Sequence, residues 1–237
     1  MNNINEGDCI TLEMYDQALK EHHDQMLKMK DKDIDKLLKA IDKLEKMSRQ
    51  NKKLIGSLLE YIAYTLFNQE YFDVSINERT GANEIDLLIE LSITGCRIID
   101  EISYYNDFPK SIIVESKNLN KKIDITYVGK LKSLMDVTSV KFGIFISYKG
   151  LAGRGRKSWY GAKGFTKMIA VSEKELKDKC IIIDVTIEDI KKFLKTDPNL
   201  LKFLRKKRED LIKDVDRDFQ YITKHPLEVK FKYIIDK

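Results

Sequence analysis

The apolar positions in the first 53 residues follow the seven-residue spacing of an amphipathic helix. The residues at these positions are Leu27, Ile34, Leu37, Ile41 and Leu44. The pattern predicts an N-terminal amphipathic helix across residues 1–53. Two interpretations of its apolar stripe are open. A second copy of the chain covers the stripe in a coiled coil, or the helix lies back on the rest of the chain.

From residue 54 onwards the pattern changes to a helix followed by short apolar runs. Residues 54–67 have helical spacing with a broad apolar face. The runs after it are rich in β-branched and aromatic residues, which predicts strands. The predicted strands are residues 71–76, 85–93, 110–116, 142–147 and 181–185. A helix is predicted at residues 126–137, between the third and fourth strands.

Two further helices are predicted after the last strand. Thr186 begins the first of them, and Asp189 is placed to complete its cap. Asp197 and Pro198 predict the start of a long charged helix that reaches about residue 223. This order of elements predicts an α/β fold, with a mixed sheet flanked by helices. The predicted domains are residues 1–53, the N-terminal helix; 54–195, the sheet domain; and 196–237, a C-terminal helical tail.

Composition narrows the classes of protein without choosing one. At 237 residues and 43% hydrophobic content, the chain can bury a core of domain size. Its formal net charge of +5 is compatible with a polyanionic partner. The three isolated cysteines, Cys9, Cys96 and Cys180, argue against a disulfide framework or a zinc site and favour a reducing, cytoplasmic location. Neither a signal peptide nor a membrane span is expected.

Charged residues at the ends of two predicted strands form the candidate chemical site. Asp86 enters its strand just after a glycine turn, and Glu115 follows a buried apolar run. Residues two apart on a strand share a face, so Glu115 and Lys117 project together while Ser116 points away. Charges in this position are costly if they remain unpaired. We therefore expect them at an open end of the sheet, facing a cation and its substrate.

These residue types suit the hydrolysis of a phosphodiester. Asp86 and Glu115 can hold Mg²⁺, with Mn²⁺ as a substitute, and leave positions for water and phosphate. The backbone carbonyl of Ser116 is a further candidate ligand. Lys117 can orient the attacking water or neutralise developing charge, and partial desolvation would depress its pKa. Glu60, on the helix before the sheet, is the candidate that completes the site.

Asp86 and the Glu115-Ser116-Lys117 triplet resemble the motif of the PD-(D/E)XK nuclease superfamily, most closely its Mrr-like restriction-endonuclease branch. The resemblance covers residues 54–194 and implies a restriction-endonuclease-like fold for the predicted sheet domain. It implies that Asp86 and Glu115 bind the metal, that Lys117 assists the water and that Glu60 often completes such a site.

Two features depart from the pattern of that branch. The segment between Asp86 and Glu115 is long, which predicts an insertion around residues 99–107. Many Mrr-like members carry Gln where this chain has Glu115. Because Glu is the commoner residue across the superfamily, this departure favours metal binding.

A basic loop at residues 149–164 is a second candidate site. It combines glycines, cations and flat rings, which can neutralise phosphates and stack on bases or sugars. The candidate nucleic-acid-binding residues are Arg154, Arg156, Lys157, Trp159 and Lys163.

Three classes of function follow from these observations. The leading hypothesis is a Mg²⁺-dependent endonuclease acting on DNA, with RNA left open, and with a homodimer formed through the N-terminal helix. The second is a nucleic-acid-binding protein on the same fold without catalytic activity. The third is a coiled-coil assembly protein, which leaves the charges at the strand ends unexplained.

Overall fold

The computed structural model describes residues 11–47, 51–79, 84–118, 121–153, 161–171 and 179–220. The helices are α1 (Leu12–Met26), α2 (Asp31–Lys46), α3 (Lys52–Phe67), α4 (Ile93–Glu101), α5 (Ile125–Thr138), α6 (Ala162–Val171), α7 (Ile187–Thr196) and α8 (Leu200–Gln220). The strands are β1 (Phe72–Arg79), β2 (Glu84–Leu91), β3 (Ser111–Lys117), β4 (Phe142–Ser147) and β5 (Ile181–Thr186). A short 3-10 helix, Ser103–Tyr105, lies between α4 and β3.

The five strands form one mixed sheet in the order β1-β2-β3-β4-β5. The pairs β1–β2 and β2–β3 are antiparallel, whereas β3–β4 and β4–β5 are parallel. Parallel neighbours need crossover connections, and α5 and α6 provide them. The predicted α/β fold with a mixed sheet flanked by helices is therefore confirmed. The carboxyl ends of the three parallel strands meet at one edge of the sheet.

Each face of the sheet packs into its own hydrophobic cluster. Ile113 and Phe145 belong to the cluster that includes the buried side of α5 together with Ala162 and Ile169 of α6. Ile112 and Val114 belong to the larger cluster, which includes α2, α3, α7 and the start of α8. Successive strand residues alternate between faces. Glu115, two residues after Ile113, therefore lies on the face that α5 covers.

The N-terminal heptad segment forms two helices instead of the single predicted one. Between α1 and α2 the Met29 N–H donates a hydrogen bond to the Pro198 carbonyl at 2.9 Å. The stripe residues that are no more than 5% exposed are Leu27, Leu37, Ile41 and Leu44. They pack in the same cluster as α3, because α2 lies against α3 and α7. The interpretation in which the segment lies back on the chain is the one supported, since a coiled coil would need side chains that are already buried.

The segments between the helices and strands match the sequence-based predictions in some places and differ in others. Thr186 and Asp189 form the predicted capping box at the start of α7. The segment between β2 and β3 carries α4 and the 3-10 helix, where an insertion is predicted. α8 starts later than predicted, because the Asn199 side chain, and not Asp197, accepts a hydrogen bond from the Lys202 N–H, at 3.1 Å. α6 occupies residues for which the apolar pattern predicts no helix.

The predicted C-terminal tail is described as far as residue 220. Its first turns are part of the core, because Leu200, Leu201 and Leu204 are fully buried. Across the described ranges, no helix combines the length and the apolar character needed to cross a membrane.

Candidate active site

The start of β2 and the end of β3 bring Asp86 next to the Glu115-Ser116-Lys117 triplet. Regular pairing of these strands ends at Leu87 and Val114. Beyond that pair, the Asp86 Oδ2 atom accepts a hydrogen bond from the Ser116 N–H at 2.7 Å. The carboxylate thus takes the place that a backbone carbonyl would occupy in a continued ladder. This bond fixes Asp86 at the carboxyl edge of the parallel strands.

Glu115 and Lys117 form an ion pair on the α5 face of the sheet. The Lys117 Nζ atom lies 2.6 Å from Glu115 Oε2, and the two side chains are 25% and 8% exposed. The other carboxylate oxygen, Glu115 Oε1, is buried and has no hydrogen-bond partner in the part of the chain that the structure describes. A buried charged oxygen without a partner is costly. Its position therefore marks where a cation would be accommodated.

The three charged groups leave the site with an excess of negative charge. Burial raises the pKa of the Glu115 carboxyl, and Asp86 raises it further, against the opposing effect of Lys117. Burial lowers the pKa of the Lys117 ammonium, but the charges of Glu115 and Asp86 outweigh burial, and the pKa is raised overall. The sequence-based expectation of a depressed lysine pKa is therefore wrong. The negative charge of two carboxylates beside one lysine thus raises the pKa of Glu115 and of Lys117.

A cavity of about 340 Å³ opens beside Glu115 and Lys117. Its other wall comes from α5, which contributes Tyr127, Lys130 and Ser133. The Lys130 Nζ atom lies 5.9 Å from the centre of the Tyr127 ring. The sequence pattern did not mark these α5 residues as candidates. Their three-residue spacing marks the polar side of the helix, but that spacing does not show that this side lies over the end of β3.

Glu60 is not brought into this arrangement. The buried residues of α3, including Leu59 and Ala63, pack on the opposite face of the sheet from Glu115. Glu60 itself is exposed, because that helix directs its apolar side to the sheet. Its predicted role in the site therefore has no support from its position. Glu84, at the start of β2, is an exposed carboxylate that does line the cavity.

The entrance to the basic loop is anchored next to the site. Ser147, which pairs with Lys117 in the sheet, accepts a hydrogen bond through its Oγ atom from the Gly150 N–H at 2.9 Å. Asp184 accepts one from the Leu151 N–H at 3.2 Å. Gly150 has a φ of +66°, and a Cβ atom there would collide with the Asp184 carboxylate. The loop thus leaves the sheet in one defined direction.

The structure describes one of the five predicted contact residues of that loop. Four of them lie outside the described residues: Arg154, Arg156, Lys157 and Trp159. Lys163 is described, and it is exposed in the first turn of α6. The prediction that the loop contacts nucleic acid stays a prediction.

The donor atoms of the site suit a hard divalent cation. Asp86 and Glu115 supply carboxylate oxygens, and Glu115 Oε1 and Ser116 Oγ are buried without a hydrogen-bond partner in the described part of the chain. Within the described ranges, no group of three or more His, Cys, Asp and Glu side chains is placed to hold a metal. The protein would thus supply two carboxylates and leave other positions to water and substrate, as is common for Mg²⁺. The Ser116 carbonyl stays a predicted third ligand.

Comparison with known proteins gives no match: no family model fits the chain, no curated protein matches it and no solved structure matches it. The chemistry of the site is therefore inferred from its own residues.

Proposed function

We propose that the chain is a metal-dependent nuclease of the PD-(D/E)XK type, which hydrolyses phosphodiester bonds in DNA on a restriction-endonuclease-like fold. The observation that carries the proposal is the buried Glu115 carboxylate beside Asp86 and Lys117, whose Oε1 atom has no hydrogen-bond partner among the described residues. A bound Mg²⁺ or Mn²⁺ would lower the pKa of its water ligand and act as a Lewis acid on the phosphoryl oxygen. The excess of negative charge in the site supports a cation there.

The residues of the site divide the remaining work between them. Asp86 and Glu115 hold the cation, and the Ser116 N–H keeps the Asp86 carboxylate in one orientation. Lys117 already donates a hydrogen bond to Glu115 Oε2 at 2.6 Å, so we assign it the role of a hydrogen-bond donor and a positive charge. An ammonium in this position orients the attacking water and stabilises the negative charge that develops on the phosphate. Proton abstraction is not assigned to Lys117.

The cavity wall supports a polyanionic substrate. Lys130 is exposed at the cavity and has no ion pair with any residue that the structure describes. A free ammonium can neutralise a backbone phosphate, and the adjacent Tyr127 ring offers a surface for a sugar or a base. The choice of DNA over RNA comes from the family resemblance.

The decisive experiment is cleavage of supercoiled plasmid and of single-stranded DNA, with Mg²⁺, with Mn²⁺ or with a chelator. The wild-type protein is expected to cut only with a metal present. Asp86→Asn and Lys117→Gln are each expected to lose activity by about 100-fold or more, because the first removes a ligand of the cation and the second removes a positive charge beside the reacting phosphate. Glu60→Gln is the matched control, and it is expected to cut like the wild type.

Each variant is first compared with the wild type by circular dichroism and thermal unfolding. A folded wild type that binds DNA in a salt-dependent way without cutting it would favour the nucleic-acid-binding alternative. Activity that survives in both site variants, or that depends on Glu60, would refute the assigned residues. An RNA substrate tested in parallel decides between DNA and RNA.

A further inference from the structure

A second cavity lies at the opposite edge of the sheet from the candidate active site. It has a volume of about 460 Å³ and opens where β3, β4 and β5 begin. β3 has 7 residues, so roughly 20 Å separates this edge from Lys117. A small molecule in this cavity would therefore not reach the candidate active site.

Three lysines line the cavity from adjacent strands. Lys110 directly precedes β3, Lys141 directly precedes β4, and Lys179 lies two residues before β5. Neighbouring strands are about 4.8 Å apart, so these positions form a row across the start of the sheet. None of the three has an ion pair with a residue in the described ranges. Like charges held in a row repel one another, and a bound anion removes that repulsion.

The carboxylate of Asp107 lines the same cavity but is already engaged. It forms ion pairs with Arg205 and with Arg208, each at 3.0 Å. Arg208 also donates a hydrogen bond to the Asp107 carbonyl at 2.9 Å. Since two arginines share this carboxylate, Asp107 does not neutralise the positive charge of the three lysines.

The cavity has an aromatic floor beneath its positively charged rim. Phe108 and Phe142 are 5% and 2% exposed, and their rings meet edge to face with centres 6.4 Å apart. Closely packed buried rings give the cavity a rigid base. A cavity of this size with an apolar base and a few converging charges is typical of a small-molecule site.

We propose that this cavity binds a polyphosphate group, with its oxygens on Lys110, Lys141 and Lys179. A free nucleotide carries such linked phosphates, whereas the backbone of a nucleic acid offers a row of single phosphates to the same lysines. The site is independent of the proposed nuclease activity, because it uses none of the residues around Glu115.

The test is calorimetric titration of the full chain with tripolyphosphate, ATP and a short DNA duplex, at low salt and with a chelator present. Low salt limits screening of exposed charges, and the chelator prevents cleavage. Lys141→Gln and Lys179→Gln are each expected to weaken tripolyphosphate binding by about tenfold or more, because each removes a charge-assisted contact. The matched control is Lys195→Gln, the same substitution at an exposed lysine of α7 that lines neither cavity, and it is expected to leave tripolyphosphate binding unchanged.

Tighter binding of ATP than of the duplex, lost in the same two variants, would identify a nucleotide as the source of the phosphates. Binding of the duplex that competes with tripolyphosphate and weakens in the same variants would identify a nucleic-acid backbone. The proposal is overturned if the wild type does not bind tripolyphosphate. It is also overturned if Lys141→Gln and Lys179→Gln bind it as the wild type does, or if Lys195→Gln loses the binding to the same extent.

Discussion

Glu115 carries a charge in a place where the fold disfavours it. Its pKa is raised by burial and by Asp86, from an ordinary value of 4.5. A carboxyl whose pKa is higher in the folded state than in the unfolded state stabilises the protein below its unfolded pKa, and this stabilisation is lost as the pH rises through the folded pKa. In the absence of metal, the contribution of Glu115 to the stability of the protein should therefore fall as the pH rises above about 4.5 and through its raised pKa.

The test is Glu115→Gln, which resembles the protonated carboxyl at every pH. In chelator, this variant should unfold at a higher temperature than the wild type at neutral pH, and the difference should shrink towards pH 4. Thermal unfolding across this pH range measures it. Glu84→Gln, an exposed carboxylate at the same cavity, is the control and should follow the wild type. Identical pH profiles for Glu115→Gln and the wild type would contradict the assigned burial.

Lys117 and a metal ion would compete for the same carboxylate. The Lys117 ammonium already occupies Glu115 Oε2 at 2.6 Å. Lys117→Gln should therefore lose cleavage while keeping, or increasing, the rise in unfolding temperature that Mn²⁺ produces. Asp86→Asn should lose both. Unfolding curves at increasing Mn²⁺ concentration separate the two variants, and loss of the Mn²⁺ effect in Lys117→Gln would place the lysine among the groups required for metal binding.

At the scale of elements, α2 provides the sharpest test of the N-terminal segment. Ile41 is 2% exposed, whereas Leu38 on the same helix is 38% exposed. Ile41→Ala should lower the free energy of unfolding by about 2–4 kcal/mol, because it leaves a cavity in the core. Leu38→Ala should cost less than about 1 kcal/mol.

Chemical denaturation of both variants at two protein concentrations makes this comparison. The denaturant concentration at the midpoint of unfolding should not depend on the protein concentration if α2 packs within its own chain. A midpoint that rises with protein concentration would indicate that a second copy covers the stripe.

The heptad stripe shows what periodicity can and cannot predict. The spacing of Leu37, Ile41 and Leu44 identifies the buried side of a helix, and the structure confirms that side. The same spacing results when the partner is α3 or a second chain, so the pattern does not identify the partner. The break before α2 depends on a hydrogen bond between Met29 and Pro198, which are far apart in the sequence.

The candidate site was predictable where it depends on strand geometry. Alternation along β3 predicts that Glu115 and Lys117 share a face. One hydrogen bond from the Ser116 N–H holds the Asp86 carboxylate beside them. Tyr127 and Lys130 were not predictable, because their role depends on which side of α5 lies over the sheet. The role of Glu60 stays a prediction without support from its position, since helix spacing gave it no defined face of the sheet.

At the scale of the whole molecule, two helical layers of unequal size enclose the sheet. α5 and α6 cover one face, and the other face carries the larger cluster with contributions from α2, α3, α7 and α8. α1 packs extensively against none of the other described elements, and it exposes Met14, Tyr15 and Met26. The two N-terminal helices should therefore contribute very differently to stability.

Two truncations separate these contributions. A chain without residues 1–26 should keep its cooperative unfolding transition, because it loses only α1. A chain without residues 1–47 also loses the buried side chains of Leu27, Leu37, Ile41 and Leu44. Each fully buried side chain of this kind contributes about 1.5–3 kcal/mol. Their combined loss of roughly 6–12 kcal/mol is comparable to the net stability of a whole domain, about 5–15 kcal/mol.

The chain without residues 1–47 should therefore be unfolded or molten, as judged by the loss of the near-ultraviolet circular dichroism signal. If it instead unfolds cooperatively near the wild-type temperature, residues 1–53 are a separate domain and the packing of α2 against α3 is dispensable. A shorter chain that folds but loses its oligomeric state would point to assembly through this segment. Sedimentation of both truncated chains beside the wild type distinguishes these results, because unfolding expands the chain whereas dissociation halves its mass.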